Sequence, residues 1–201
     1  MTPQIFLVRH AKTLLNNASS EAIRGHSDIP ISGEGEEALK QTAEFLKGHS
    51  IKRILASPLQ RAMMTALFIA DKIGAKVTPN SGLTPWDLGN LTGKRIEEVA
   101  PKMNYYQDYP DIKVPDGESY RDFYDRWSQA LDRMLAYAEK HPDEILTGVV
   151  HSRNLLSLPS IIGKRPMGEV PVKGGPPPES VTRVYLDDDT WKYETIFELK
   201  Q

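Results

Sequence analysis

The 201-residue chain contains no cysteine. That excludes a disulfide framework, a thiolate zinc site and a cysteine nucleophile, and it agrees with a reducing compartment. An excess of charge is missing too: 25 Lys and Arg stand against 27 Asp and Glu, a net charge of -2. Nucleic acid and anionic lipid would find no general attraction, so any anion site must come from a local cluster. No apolar run reaches the length of a membrane span. The opening Met-Thr-Pro-Gln has no basic region and passes straight into Ile5-Phe6-Leu7-Val8, which reads as a first strand and not as a signal peptide. The expectation is a cytoplasmic protein with neither nucleic-acid nor membrane partners. There is no Gly-x-x-x-x-Gly-Lys-Ser/Thr and no glycine-rich turn after the first strand, so neither a P-loop nor a dinucleotide site is indicated. Internal repeats and low-complexity tails are also absent.

What is present fits one domain, residues 1–201, able to bury roughly 70% of its unfolded surface. Short Val- and Ile-rich runs at 5–8, 54–56, 75–78 and 145–150 alternate with segments of helical period, an α/β pattern. The expected architecture is a three-layer domain, its sheet mostly parallel with helices on both faces. Residues 34–47 make one amphipathic helix. Ser57-Pro58-Leu59-Gln60 offers an N-cap, a first-turn proline and a capping Gln for another, with Met63, Leu67, Ala70 and Ile73 as its buried stripe. Ser119 caps a long helix through Phe123, Trp127, Leu131, Met134 and Ala138. Strands at 180–186 and 191–197 flank Asp187-Asp188-Asp189 and form a C-terminal hairpin at the sheet edge. Residues 101–117 and 163–179 read as long loops, candidates for a substrate rim or plain connectors.

Chemistry collects at the strand ends, where open α/β sheets place their ligands. Arg9 and His10 follow the first strand, and Arg61 lies in the first turn of the helix after the second. There it can add a bidentate guanidinium to the positive end of the helix dipole. His151 follows the later strand at 145–150, with Ser152 beside it. If these strands are neighbours, two His and two Arg converge on a cationic pocket suited to a phosphate dianion. Arg24 and His26 occupy a loop that could border it. Trp86 is either entrance or packing, while His49 and His141, near helix ends, read as solvated or as interacting with the helix dipole. Tyr105, Tyr106 and Tyr109 form a cluster that could be a rim or a contact between copies; the oligomeric state is open.

The motifs LVRHAKT, SPLQRA and VVHS resemble those of the histidine phosphatase superfamily, also called phosphoglycerate mutase-like, over most of the chain. The resemblance implies that His10 is the nucleophile, that Arg9 and Arg61 bind phosphate, and that His151 contacts the phosphoryl group. Asn16 and Ser152 join the phosphate-binding candidates. Asn16 matches the family's Asn better than Asn17 does, and Arg24-Gly25-His26-Ser27-Asp28-Ile29-Pro30-Ile31 matches its next segment. Two departures stand out. Ala11 replaces a Gly, and the mid-chain Glu that donates a proton is missing: Pro85 takes its place, with Asp87 two residues on.

The implied reaction hydrolyses a phosphomonoester through a phosphohistidine, on a small phosphorylated metabolite or a phosphoprotein, with Asp87 as candidate acid and base, and no cofactor or metal is called for. Three other readings stay open. A phosphoglycerate-type mutase would use the same His10. A metal hydrolase would use His10, His151 and Asp87, although two arginines would repel the cation and no His-x-x-x-His occurs. A phosphate-binding module would have lost turnover together with the Glu.

Overall fold

The structure, a computed structural model, describes residues 2–16 and 22–199. A six-stranded sheet of order β3-β2-β4-β1-β5-β6 organises it. Its strands are β1 (Gln4–Arg9), β2 (Arg53–Ala56), β3 (Lys76–Pro79), β4 (Leu146–Val150), β5 (Val181–Asp187) and β6 (Thr190–Phe197). The first four strands are parallel; β5 runs antiparallel to β1 and pairs with β6 as the expected edge hairpin. Asp188 and Asp189 adopt positive φ, 46° and 58°, the twist that a two-residue hairpin turn requires.

Alternation along β1 sends side chains to two separate cores. Ile5 and Leu7 join Leu146, Val150 and Val184 under the long α4 (Tyr120–Lys140). Phe6 and Val8 join Ile54, Ala56, Val149 and Val181 under α1 (Gly33–Lys47) and α2 (Gln60–Ile73). Helices thus cover both faces, and the domain has three layers. The α4 stripe lies as expected, and its start is closed by a capping box: Ser119 Oγ accepts from Asp122 N (3.1 Å), and Asp122 Oδ2 accepts from Ser119 N (3.4 Å). No helix among the described residues is long and apolar enough to cross a membrane.

Three sequence expectations change. Ser57 does not cap α2, because its N–H still extends the sheet pairing by donating to Val149 O (3.1 Å), and the helix begins only at Gln60. The cap comes from Asp28, whose carboxylate accepts from Gln60 N (2.7 Å) and Gln60 Nε2 (3.0 Å). Ala62, Thr65, Ala66, Ile69 and Ala70 make the buried face of α2, and Leu67 is 55% exposed. Small residues there let the helix lie close to the sheet and α1. Finally, the segment 101–117 is not all loop: α3 (Ile96–Asp108) runs through Pro101. The proline removes one helix hydrogen bond, but burial of Ile96, Val99, Met103 and Gln107 at helical spacing overrides that loss. The segment 163–179 contains only a 3-10 turn, Met167–Glu169, preceded by the short α5 (Ser152–Leu156) and α6 (Leu158–Ile162).

Candidate active site

Parallel register brings the strand ends level. Arg9 stands opposite Val150 and Ala56 opposite Val149, and His10 N donates to Val150 O (3.0 Å). His10 and His151 therefore leave the sheet side by side, with ring centroids 5.0 Å apart, and α2 carries Arg61 over them. All three border a cavity of about 330 Å³, together with Arg9, Arg24 and Ser152.

His10 is 2% exposed. Its Nδ1 lies 2.8 Å from the Ala11 carbonyl oxygen, which can only accept, so Nδ1 carries the proton and Nε2 keeps its lone pair. The turn that holds this ring is itself held. Ala11 N donates to Thr65 Oγ1 (3.0 Å), Lys12 N to Glu179 Oε1 (2.6 Å), and Ser32 N to Lys12 O (2.8 Å). Helix α1 comes so near that a Cβ on Gly35 would lie 2.5 Å from Lys12 O. Burial, then the charges of Arg61, Arg9 and Arg24, push the His10 pKa well below the ordinary histidine value.

His151 is fixed in the opposite tautomer. Arg61 Nε donates to its Nδ1 (3.3 Å), which leaves the proton on Nε2, and Nε2 is buried with no hydrogen-bond partner among the described residues. Burial first, then Arg61, His10 and Arg24, lowers its pKa as well. Arg61 also donates to Ser27 O (2.6 Å) and Gly25 O (2.9 Å), so it ties the 24–28 segment to the site. Burial and Arg24 bring its pKa down to about 10, still protonated at neutral pH. Arg9 Nη1 donates to Pro176 O (2.6 Å). Fixed positive charge around two neutral imidazoles, one offering an N–H and one a lone pair, suits an oxoanion approached by a nitrogen nucleophile.

Other expected residues divide. Trp86 is both wall and packing: it lines the cavity, is 1% exposed, and donates from Nε1 to Glu118 O (3.2 Å). Asn16 is not among the lining residues. Its Oδ1 is taken by Thr13 N (2.9 Å) and Thr13 Oγ1 (3.0 Å), so it braces the turn after the first motif. Asn17 lies outside the described residues. His26 and Asp87 also stand back from the cavity. His26 Nε2 lies 2.8 Å from Pro85 O and its Nδ1 3.5 Å from Asp87 Oδ2, while Asp87 Oδ1 accepts from Gly89 N (3.1 Å). Pro85 itself lines the cavity. His49 meets the last turn of α1, its Nδ1 3.1 Å from Phe45 O, and its ring packs on Phe6. His141 closes α4 and stacks on Tyr137.

Several contributors went unread in the sequence. Glu179 fixes the first-motif turn from a proline-rich loop that carries no pattern. Arg126 holds the 81–85 segment through Ser81 O (3.2 Å) and Thr84 O (3.1 Å), and pairs with Glu118 (2.7 Å). Asn154 Oδ1 accepts from His151 N (3.3 Å). Arg153 lines the cavity; a charge between His151 and the apolar run that starts at Leu155 was the available signal.

A family model for the histidine phosphatase superfamily (branch 1) matches residues 5–198. A probable phosphoglycerate mutase GpmB of Yersinia enterocolitica is 33% identical over 137 residues, 66% of this chain and 63% of that protein. The chain thus aligns with less than two thirds of that relative's length. Among solved structures, a mycobacterial glucosyl-3-phosphoglycerate phosphatase superposes with a TM-score of 0.78 at 21% identity, covering 98% of both chains. A phosphoglycerate mutase from Bacillus anthracis superposes with a TM-score of 0.78 at 20% identity, covering 97% of this chain and 93% of that one. At such identities the likeness is one of fold. With the motif residues gathered at the strand ends and the family model spanning nearly the whole chain, the protein belongs to the histidine phosphatase superfamily, branch 1.

Proposed function

We propose that the chain hydrolyses a phosphomonoester, a small phosphorylated metabolite or a phosphoprotein, through a phosphohistidine on His10. The observation that carries this reading is the His10 ring, its Nδ1–H held by the Ala11 carbonyl so that the other nitrogen is free to attack. Nε2 forms a bond to phosphorus as the bond to the ester oxygen breaks, and the departing oxygen takes a proton. Water then attacks phosphorus, the P–N bond breaks, and the proton taken from that water restores the acid. Arg9, Arg61 and Arg24 hold the charge spread over the phosphoryl oxygens, with the His151 Nε2–H and Ser152 as further donors.

The proton is assigned to Asp87, paired with His26 behind Pro85. Because neither side chain borders the cavity, the transfer requires a bridging water. Rapid quenching with labelled substrate tests the reading: acid-labile, base-stable label on His10 that chases into inorganic phosphate supports hydrolysis. A second reading, mutase, is favoured by the names of the 33% identical relatives. It predicts that the label passes to glycerate phosphates faster than to water.

A further inference from the structure

We infer that the cavity holds a second anion subsite at Arg153, so that the substrate carries another anionic group separated from its phosphoryl ester by an apolar segment. This rests on the phosphomonoester reading above and narrows its substrate class. Arg153 is 8% exposed and lines the same cavity as His10. Its partners are all neutral. Nη1 donates to Pro171 O (2.6 Å) and Nη2 to Gln107 Oε1, and the guanidinium lies 5.4 Å from the Trp86 ring centre and 5.3 Å from that of Tyr120. Among the described residues no carboxylate pairs with it, and its Nε is buried without a hydrogen-bond partner.

Two neighbouring cations outside the phosphoryl site differ. Lys173, on the same cavity, is paired with Glu97 at 2.8 Å, and Arg126 with Glu118 at 2.7 Å. A buried guanidinium stays charged, and leaving that charge without a counter-anion is costly. Aromatic faces and carbonyl dipoles offset part of the cost, and an anion entering the cavity would offset the rest. The subsite is also preorganised. Gln107 Nε2 donates to Val170 O (2.8 Å), which turns its Oε1 toward Arg153 and fixes the guanidinium with Nε–H uncommitted.

It is distinct from the phosphoryl site. Its guanidinium is held by Pro171 O and Gln107 against the Trp86 and Tyr120 rings, whereas Arg61 lies against His151. The remaining lining is largely apolar, including Ile23, Leu88, Met103, Leu156 and Val172. A ligand reaching both sites is therefore anionic at two ends and apolar along its length.

The test uses non-hydrolysable phosphonates, so that it reads binding whether or not turnover occurs. Affinities are measured by calorimetry for an alkyl phosphonate, the ω-carboxyalkyl phosphonate of equal length and the α,ω-bisphosphonate. The wild type should bind at least one two-ended ligand about tenfold to a hundredfold more tightly than the alkyl phosphonate, the range for a charge-assisted hydrogen bond. Which of the two binds better identifies the second group as carboxylate or phosphoryl. Arg153→Met should abolish that preference. Gln107→Glu, which supplies a counter-charge without removing Arg153, should weaken it in the same direction and covers the case in which Arg153→Met does not fold. Equal affinity of the wild type for all three ligands overturns the subsite, as does a preference that survives both substitutions. Failure of the phosphomonoester reading would appear separately, as absence of label on His10 with the ligand preference intact.

Discussion

In the proposed reaction a proton on Nδ1 leaves the other nitrogen of His10 to attack, and the Ala11 carbonyl keeps that proton there. Replacing His10 by Ala should lower kcat/KM by about a thousandfold or more, since it removes the attacking atom and not one contact among several; steady-state kinetics and loss of the labelled phosphoenzyme check this together. The low pKa set by burial and the three arginines adds a pH prediction. His10 stays neutral well below the pH at which an exposed histidine is protonated, and so would keep the reactivity proposed for it. Once the substrate's own ionisation is factored out, the acid limb of kcat/KM should lie clearly below about 6.5. A limb at the ordinary histidine position would place His10 in water. Asp87 carries a third expectation. Asp87→Asn should slow hydrolysis of an alkyl phosphate by about a hundredfold to ten-thousandfold and the phosphorylation step of an activated aryl phosphate far less. Equal losses in single-turnover measurements would assign Asp87 to the turn it braces at Gly89.

At the scale of elements, the site depends on how α2 starts. Asp28 caps it from the segment that Arg61 holds through Gly25 O and Ser27 O, so helix start and cavity wall form one unit. Asp28→Ala should cost about 1 kcal/mol of stability, the usual value of a lost helix cap, read as a lower urea midpoint. It should also raise KM, because the 24–28 segment loses an anchor. Asp28→Asn keeps an acceptor and should recover most of the stability. The sequence shows α4 clearly because its stripe and capping box are local. It shows α2 less well: its small buried residues, Ala62, Thr65 and Ala66, give a weaker signal than the exposed Leu67. Nothing local marks the helical state of Pro101, since the packing of Val99 and Met103 decides it.

Over the whole molecule, the two buried histidines link stability to pH. Both have folded pKa values below their unfolded ones, so the unfolded chain binds more protons as pH falls through about 6.5. Their contribution is complete above that pH and is lost progressively below it, with a slope of up to about 1.4 kcal/mol per pH unit for each histidine. Urea titrations between pH 7 and 5 should show this slope, and His151→Gln should reduce it by roughly one proton. An unchanged slope would mean that His151 is not desolvated in the fold.

The sequence by itself determined where chemistry could sit. Arg9, His10, Arg61 and His151 are bound to strand ends by short-range pattern, and parallel pairing then makes those ends converge whatever the loops do. It also determined the three-layer architecture and the edge hairpin, since both follow from alternation, helical period and turn residues. Tertiary structure alone decided which groups hold and complete the site. Lys12 meets Glu179 across 167 positions, Arg153 meets Gln107 across 46, and Gln60 meets Asp28 across 32. Asp87 turns toward Gly89 and His26, and Asn16 toward Thr13. Each of these choices is a competition for a hydrogen-bond partner or for burial, and its winner is set by chain segments that only the folded packing brings together.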